Sequence, residues 1–535
     1  MASIKIGLIA VLFLCEPVRI CNRAANRPDP NCNEFLIRTD SKQTYPLAFT
    51  NYAIDSTTSG KRLALKYCQS CHLFPEPGLL DKKTWVGSVL PNMGLRLGIK
   101  QAGKNPYDGL TSREDEKILH QLGTYPETAL LSVAEWESIV NYYESEAPTE
   151  PLPQKAHPPI ADQLPQFKAT PIKISDKPVP KTTLVKFDPA SSQLYVGNDP
   201  NELYVVDSAF QLKTLWNLDS PPTDIYFPKN AKPRLLTIGT FSPSDQKLGK
   251  IISLDTSTTE TSVYFDSLPR PVQFVAADLT LDGKEDLVIC GFGNNAGKLF
   301  WYDGFSSAKE HILKALPGAR RVEVRDFNND KKPDLMVLMA QAHEEVSIFY
   351  NQGNGNFKEK TVLKFQPSYG VSYFELVDFN KDGFQDILLT NGDNWDYSAI
   401  QKNYHGIRIY LNDGRDNFKE AWFYPLYGTS KAMARDFDND GDIDIAAISF
   451  YSDLEKPEQG FVYLSNKGTL TFEAFSTPEA ASGKWLTMEV ADLDHDGDVD
   501  IVLGSYFHTV GELTTLMFKG ITSFPQLLVL TNRQK

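Results

Sequence analysis

Positive charge is in short supply in this sequence. Lys and Arg number 54 against 68 Asp and Glu, a formal net charge of -14. Phosphate backbones are held by basic faces, so the composition argues against a nucleic-acid partner. The apolar run near the start, Ile6 to Leu14, falls well short of the ~20 residues a bilayer-spanning helix needs. Cysteine is sparse as well, with six residues at 15, 21, 32, 68, 71 and 290. No second Cys/His pair accompanies the one at 68–72, which removes a four-ligand zinc site. No nucleophile-base-acid triad stands out either.

What is present starts with Cys68-Gln69-Ser70-Cys71-His72. Two thiols three apart with a histidine directly after the second are what covalent haem attachment requires: each thiol adds to one vinyl group, and the imidazole supplies an axial ligand to the iron. Lys5 and the short apolar run after it read as a signal-peptide core, with residues 1–22 as the signal and 23–51 as a linker. Export and covalent haem support each other, because this haem is attached outside the cytoplasm. The expected location is the periplasm or the outer-membrane or cell surface of a bacterium. Cys15 and Cys21 are candidates for a lipid anchor to the membrane, although Leu14 and Ile20 before them are larger than a lipoprotein signal normally tolerates. Cys21 and Cys32 are candidates to pair, and Cys290, in the apolar run Asp286 to Cys290, reads as a buried thiol.

A chain of 535 residues is too long for one ordinary core, so two or more domains are expected. Residues 52–147 read as a small helical domain. Gly60 to Tyr67 runs helically into the haem motif, and Pro75 and Pro77 turn the chain. Asp81 caps a second helix expected to end at Pro91-Asn92-Met93-Gly94, and Thr111 or Ser112 caps a third. The last, from Ser132, places Val133, Trp136, Ile139, Val140 and Tyr143 on one stripe. With the Cys68–His72 motif and the aromatic closing helix, this stretch resembles the small monohaem c-type cytochromes. The resemblance implies an all-α cytochrome c domain with Cys68 and Cys71 holding haem c covalently, His72 as proximal ligand and a sulfur ligand opposite. Met93 is the choice for that ligand and His120 the rival. A thioether is a weak neutral donor that favours Fe(II) and raises the potential.

Residues 148–181 carry many prolines and read as a semi-stiff spacer. Beyond it five segments align on first aspartates Asp278, Asp326, Asp378, Asp436 and Asp492, spaced by 48, 52, 58 and 56 residues. Each is flanked by short strand-like runs, and two degenerate units precede them, centred on Lys186–Gly197 and Ile225–Leu236. Repeats of this size with several strands per unit are propeller blades. Residues 182–535 therefore read as an all-β seven-bladed propeller. Gln526–Asn532 would complete the last blade, paired with an N-terminal strand near Thr183.

Within each segment, positions 1, 3, 5 and 9 present oxygens on the inside of a tight loop, which suits Ca2+. The fullest sets are Asp436, Asp438, Asp440, Asp444 and Asp492, Asp494, Asp496, Asp500. Asp378, Asn380, Asp382 and Asp386 follow. Asp326, Asn328, Asp330 and Asp334 lack the glycine at position 6, and Asp278, Asp282 and Asp286 have Thr280 at position 3. The alternative is an Asx-turn loop that needs no ion. The repeats resemble the FG-GAP/VCBS calcium-binding propellers, which implies structural calcium and a binding surface rather than a reaction.

Arg270, Arg320, Arg321, Tyr373, Lys431, Lys484 and Trp485 stand five to eight residues before the first aspartates and are expected to ring one mouth of the channel, where a carbohydrate or an anionic ligand would fit. The insertion 390–406, with Trp395, Tyr397, Tyr404 and His405, is either an exposed contact surface or a folded-over lid. The function expected from all this is exported electron transfer through one haem, to a redox partner protein the sequence does not name, with the propeller as docking module. The alternatives are a propeller-type dehydrogenase passing substrate electrons to its own haem, and an adhesion or assembly module. Against the dehydrogenase, the blades lack the tryptophan-docking repeats of quinone enzymes, and no second haem motif appears.

Overall fold

Every strand among the described residues belongs to one of seven sheets, antiparallel but for one short edge strand. The computed structural model describes residues 56–534, apart from 102, 111 and 306–308. The signal segment, Cys15, Cys21, Cys32 and the Thr111 cap lie outside the described residues. The helical stretch and the sheets belong to one compact unit, Ile54–Lys535.

The sheets are the blades of a seven-bladed β-propeller. Their innermost strands are Thr182–Asp188, Pro222–Tyr226, Pro271–Ala277, Ala319–Arg325, Val371–Val377, Thr429–Arg435 and Trp485–Ala491, for blades 1 to 7 in chain order. The second strands read as unbroken apolar runs because both faces are covered by neighbouring blades. Asp334–Met339 and Asp444–Ser449 are buried at every position. Cys290 lies in one of these strands and is fully buried, its thiol pushed far upward by desolvation. It is an inert core thiol.

The ring closes with a strand from the proline-rich stretch. Phe167–Ile172 pairs antiparallel with Leu527–Asn532 as the outer strand of blade 7. Thr183, expected near that role, belongs instead to the innermost strand of blade 1. Pro171 is compatible with the pairing because an outermost strand leaves one row of N–H groups unused. Ile160–Ala161 adds a short parallel strand outside blade 6. Parts of the expected spacer 148–181 are thus built into the sheets.

The helices are α1 (Ser56–Tyr67), α2 (Lys82–Thr84), α3 (Leu90–Arg96), α4 (Arg113–Leu122), α5 (Val133–Glu146) and, within blade 7, α6 (Val510–Phe518). Asp81 caps α2 through the Thr84 N–H, Ser112 caps α4, and Ser132 with Glu135 forms a capping box on α5. The helix from Asp81 does not stop at Pro91. A π turn over Trp85–Val89 joins α2 to α3, with the Leu90 N–H reaching back to the Trp85 carbonyl. Proline clashes with the carbonyl four residues earlier, and the widened turn relieves that clash at Gly87. Met93 is therefore helical. On α5 the buried set is Trp136, Ile139, Tyr142 and Tyr143, while Val133 is 64% exposed.

Helices α1 and α5 cross closely. A Cβ on Gly60 would lie 2.3 Å from the Ser138 carbonyl oxygen and 2.7 Å from Tyr142 Cβ. The helical part is also clamped to the propeller. Asp115 of α4, 2% exposed, accepts from Ser244 Oγ at 2.9 Å and from the Asp245 N–H at 2.7 Å. Arg96 donates to Asn295 Oδ1 at 2.8 Å.

Candidate functional site

The chain leaves α1 directly into Cys68, Cys71 and His72. Two buried rings hold the turn that follows: Trp85 Nε1 donates to the Pro77 carbonyl at 2.8 Å and the Tyr143 hydroxyl to the Pro75 carbonyl at 2.7 Å. Their centroids are 4.6 Å apart. Both thiols are free. Burial pushes the Cys68 thiol up to about 11, and burial also lowers the His72 pKa. His72 Nδ1 lies 2.7 Å from the Leu73 carbonyl. A carbonyl can only accept, so Nδ1 carries the proton and Nε2 keeps its lone pair for a metal.

Cys68, Cys71, His72 and Met93 all line one cavity of about 1320 Å³, walled on this side by Leu80, Trp85, Leu90, Leu97 and Tyr143. A close approach brings Met93 there: a Cβ on Gly94 would lie 2.9 Å from Trp136 Cζ2. His120 does not line the cavity. It stacks on Tyr107 with centroids 4.3 Å apart, on the exposed side of α4. Thiols, a histidine with a free Nε2, a thioether and an apolar wall form a donor set that fits haem c.

The other wall of the cavity is the propeller mouth. Arg270, Arg320, Arg321, Tyr373 and Lys431 line it as a group. Lys484 and Trp485 do not: Lys484 pairs with Glu512, and Trp485 is buried with its Nε1 on the Ala480 carbonyl. The cations are neutralised where they stand. Lys186 pairs with Glu489 at 3.2 Å, Arg435 with Glu375 at 2.7 Å, Arg320 with Asp393 at 2.7 Å, and Arg321 with Glu323. Lys431 donates to the Met488 carbonyl at 2.6 Å, and burial lowers its pKa to about 8.

His343, which no local pattern in the sequence singles out, faces the same cavity from the turn between the second and third strands of blade 4. Burial, then the neighbouring His72, lowers its pKa. The preceding Gln341 and Ala342 have φ of 58° and 68°, and Glu344 ties the turn down by accepting from the Ala342 and Val371 N–H groups at 3.3 and 2.7 Å.

The insertion 390–406 is folded over. Tyr404 and His405 are buried, and Trp395 stacks on Tyr451 with centroids 5.1 Å apart. Buried Lys402 holds the loop by donating to the carbonyls of Asn394, Ser398 and Ile400 at 2.6, 2.7 and 3.1 Å. Tyr397 stays 40% exposed.

The aspartate loops follow the innermost strands, at the ends away from the mouth. Their position-9 residues are staples. Asp444 accepts from the N–H groups of Phe437 at 3.1 Å and Asn466 at 2.7 Å. Asp286, Asp334, Asp386 and Asp500 repeat the pattern. Position 1 accepts from N–H groups of its own loop, as Asp492 does from Asp496 at 3.2 Å. In two loops the carboxylates at positions 1, 3 and 9 also converge: Asp436, Asp438, Asp444 and Asp492, Asp494, Asp500 each have ligand atoms within 4.8 Å of one another. Asp436 Oδ1 is buried with no hydrogen-bond partner, an orphaned acceptor that a cation would satisfy. Asp440 and Asp496 lie outside these clusters, accepting instead from the N–H groups of Asp442 and Asp498 at 2.8 and 3.0 Å. In the loops at 278, 326 and 378 no three carboxylates converge among the described residues.

A family profile described as an FG-GAP-like repeat matches residues 278–337, 326–389 and 436–503. The chain contains FG-GAP repeats over these residues. The matched stretches run from one aspartate loop into the next blade, so the loops mark the repeat. No curated protein matches the chain. Among solved structures, the N-terminal domain of Nup159 is similar at 12% identity, over 71% of this chain and 98% of that one, with a TM-score of 0.42. An S. cerevisiae complex of Dbp5 bound to Nup159, Gle1, IP6 and ADP gives 12% identity, 71% and 98% coverage and a TM-score of 0.40. The Neurospora crassa Pan2 WD40 domain gives 10% identity, 70% and 98% coverage and a TM-score of 0.43. No described helix is long and apolar enough to cross a membrane.

Proposed function

We propose that this is an exported electron-transfer protein carrying one covalent haem c in residues 52–147, with the FG-GAP propeller as a calcium-braced docking module. The observation that carries the reading is the convergence of Cys68, Cys71, His72 and Met93 on one apolar-walled cavity. When bound, the haem supplies a one-electron couple between ferrous and ferric iron. Cys68 and Cys71 would anchor it, and His72 would offer Nε2 because Nδ1 is engaged by the Leu73 carbonyl. Met93, on the same cavity, would offer its thioether sulfur to the iron, a weak neutral donor that favours the reduced state. Trp85 and Tyr143 keep water from the buried side. The converging carboxylates of blades 6 and 7 would hold Ca2+, a hard cation suited to their oxygens. Residues 1–22 would direct export to the periplasm or cell surface, where a partner protein exchanges electrons with the haem. A pyridine haemochrome spectrum of the full chain, matured in a host that attaches haem c, tests the reading. One thioether-linked haem per chain, lost in a Cys68→Ser, Cys71→Ser double variant, is expected; its absence from the wild-type protein overturns the proposal.

A further inference from the structure

The haem reading uses only the helical wall of the 1320 Å³ cavity, whose size exceeds the ~300–1,000 Å³ typical of a small-molecule pocket. The propeller wall has its own chemistry. Its cations are committed: Arg320 to Asp393, Lys181 to Asp199 at 3.5 Å, and Arg270 to the carbonyls of Thr240, Phe241 and Gly293. Asp396 lines the cavity with its carboxylate solvent-facing, accepting no hydrogen bond from the described residues while the charges of Arg270 and His508 act on it from nearby. Aromatic rings line the same cavity: Tyr451, whose hydroxyl feels the Asp396 charge, is backed by Trp395 at an interplanar angle of 3°, Phe241 stacks on Tyr506 with centroids 4.8 Å apart, and Tyr397 is next in sequence.

This combination selects among ligand classes. An anion would meet the Asp396 carboxylate, while the arginines and lysines of the wall are already engaged by acids or carbonyls. An organic cation would meet the guanidinium groups of Arg270 and Arg320. A neutral polyhydroxylated molecule gives hydroxyl donors to Asp396 and lays its C–H faces on rings already held rigid by their stacking partners. We propose that the propeller mouth binds a neutral sugar or polyol, with Asp396 as the hydrogen-bond acceptor, in the chamber onto which the haem motif opens. The proposal narrows the docking role assigned above and does not require that haem be present.

Isothermal titration of the full chain tests it, with glucose, cellobiose and sorbitol as neutral probes and gluconate and choline as charged ones. Saturable binding of at least one neutral probe is expected. Asp396→Ala should weaken it by about tenfold or more, the loss of a charge-assisted hydrogen bond, and Asp396→Asn by less. An unchanged far-ultraviolet spectrum and melting temperature would show that both variants fold. Absence of binding by all three neutral probes, tighter binding of gluconate or choline, or unaltered binding by Asp396→Ala would each overturn the proposal. Sugar binding by wild-type protein that lacks thioether haem after maturation in a haem-attaching host would sink the electron-transfer reading and leave this one standing.

Discussion

The carboxylate of Asp115 and the backbone N–H of Asp245 meet at 2.7 Å across the boundary between helix and propeller. Ser244 Oγ and Gln246 Nε2 donate to the same carboxylate at 2.9 and 3.2 Å, and the residue is 2% exposed. This is a built joint rather than a chance surface contact. Removing the acceptor strands buried donors, which costs about 1–3 kcal/mol. Asp115→Ala should therefore lower the first melting transition and open residues 148–159 to protease, while Asp115→Asn, which keeps one oxygen, should lie between. Equal protease resistance in wild type and Asp115→Ala would refute the joint.

Gly60 permits the α1/α5 crossing because it has no side chain. A methyl group there would press on backbone at Ser138, which cannot give way as a flexible side-chain tip can. Gly60→Ala should cost about 1–3 kcal/mol, in the range of overpacked cores. Denaturant unfolding followed by near-ultraviolet circular dichroism of the Trp85 and Trp136 environment measures it.

Glu344 gives the fold a pH dependence of definite sign. Burial pushes its pKa up to about 8 from 4.5, with the hydrogen bonds from Val371 and Ala342 opposing the shift. The folded state thus binds this proton more tightly than the unfolded state does. Its stabilising contribution is present below pH 4.5, falls as pH rises through about 8, and is gone above that. Melting temperatures between pH 5 and 9 should decline, and Glu344→Gln should flatten the decline. A wild-type profile that rises over that range would contradict the assignment.

Chelation should destabilise blades 6 and 7 first, where three carboxylates converge in each loop. Adding EDTA should lower the melting temperature, and added Ca2+ should restore it by mass action. In an Asp436→Asn, Asp492→Asn double variant the calcium-dependent part should shrink. An EDTA curve superimposable on the calcium curve would leave the loops as Asx turns alone.

The blade count was legible because each of the five aspartate loops marks the same corner of one blade and two degenerate units, around 186–197 and 225–236, supply the other two. The haem-motif cavity was legible in part, since Cys68, Cys71 and His72 are contiguous and Met93 lies close in sequence. Pro91 misled because a π turn absorbed it. Phe167–Ile172 was hidden because proline density reads as spacer, while an outer strand tolerates Pro171. Position 9 of each loop read as a ligand alone, yet its two oxygens also anchor neighbouring strands, a role visible only once those strands are placed. His343 left no trace: its relation to His72 spans 271 residues and depends on the joint at Asp115.

Pairing Phe167–Ile172 with Leu527–Asn532 sets an order of events during synthesis. The ring has to wait, with a gap in its last blade, until Leu527–Asn532 has left the ribosome, while the helices and the first blades are already complete. Deleting residues 527–532 would remove the latch and expose two raw sheet edges. The N-terminal portion would be left intact beside a disc that cannot shut.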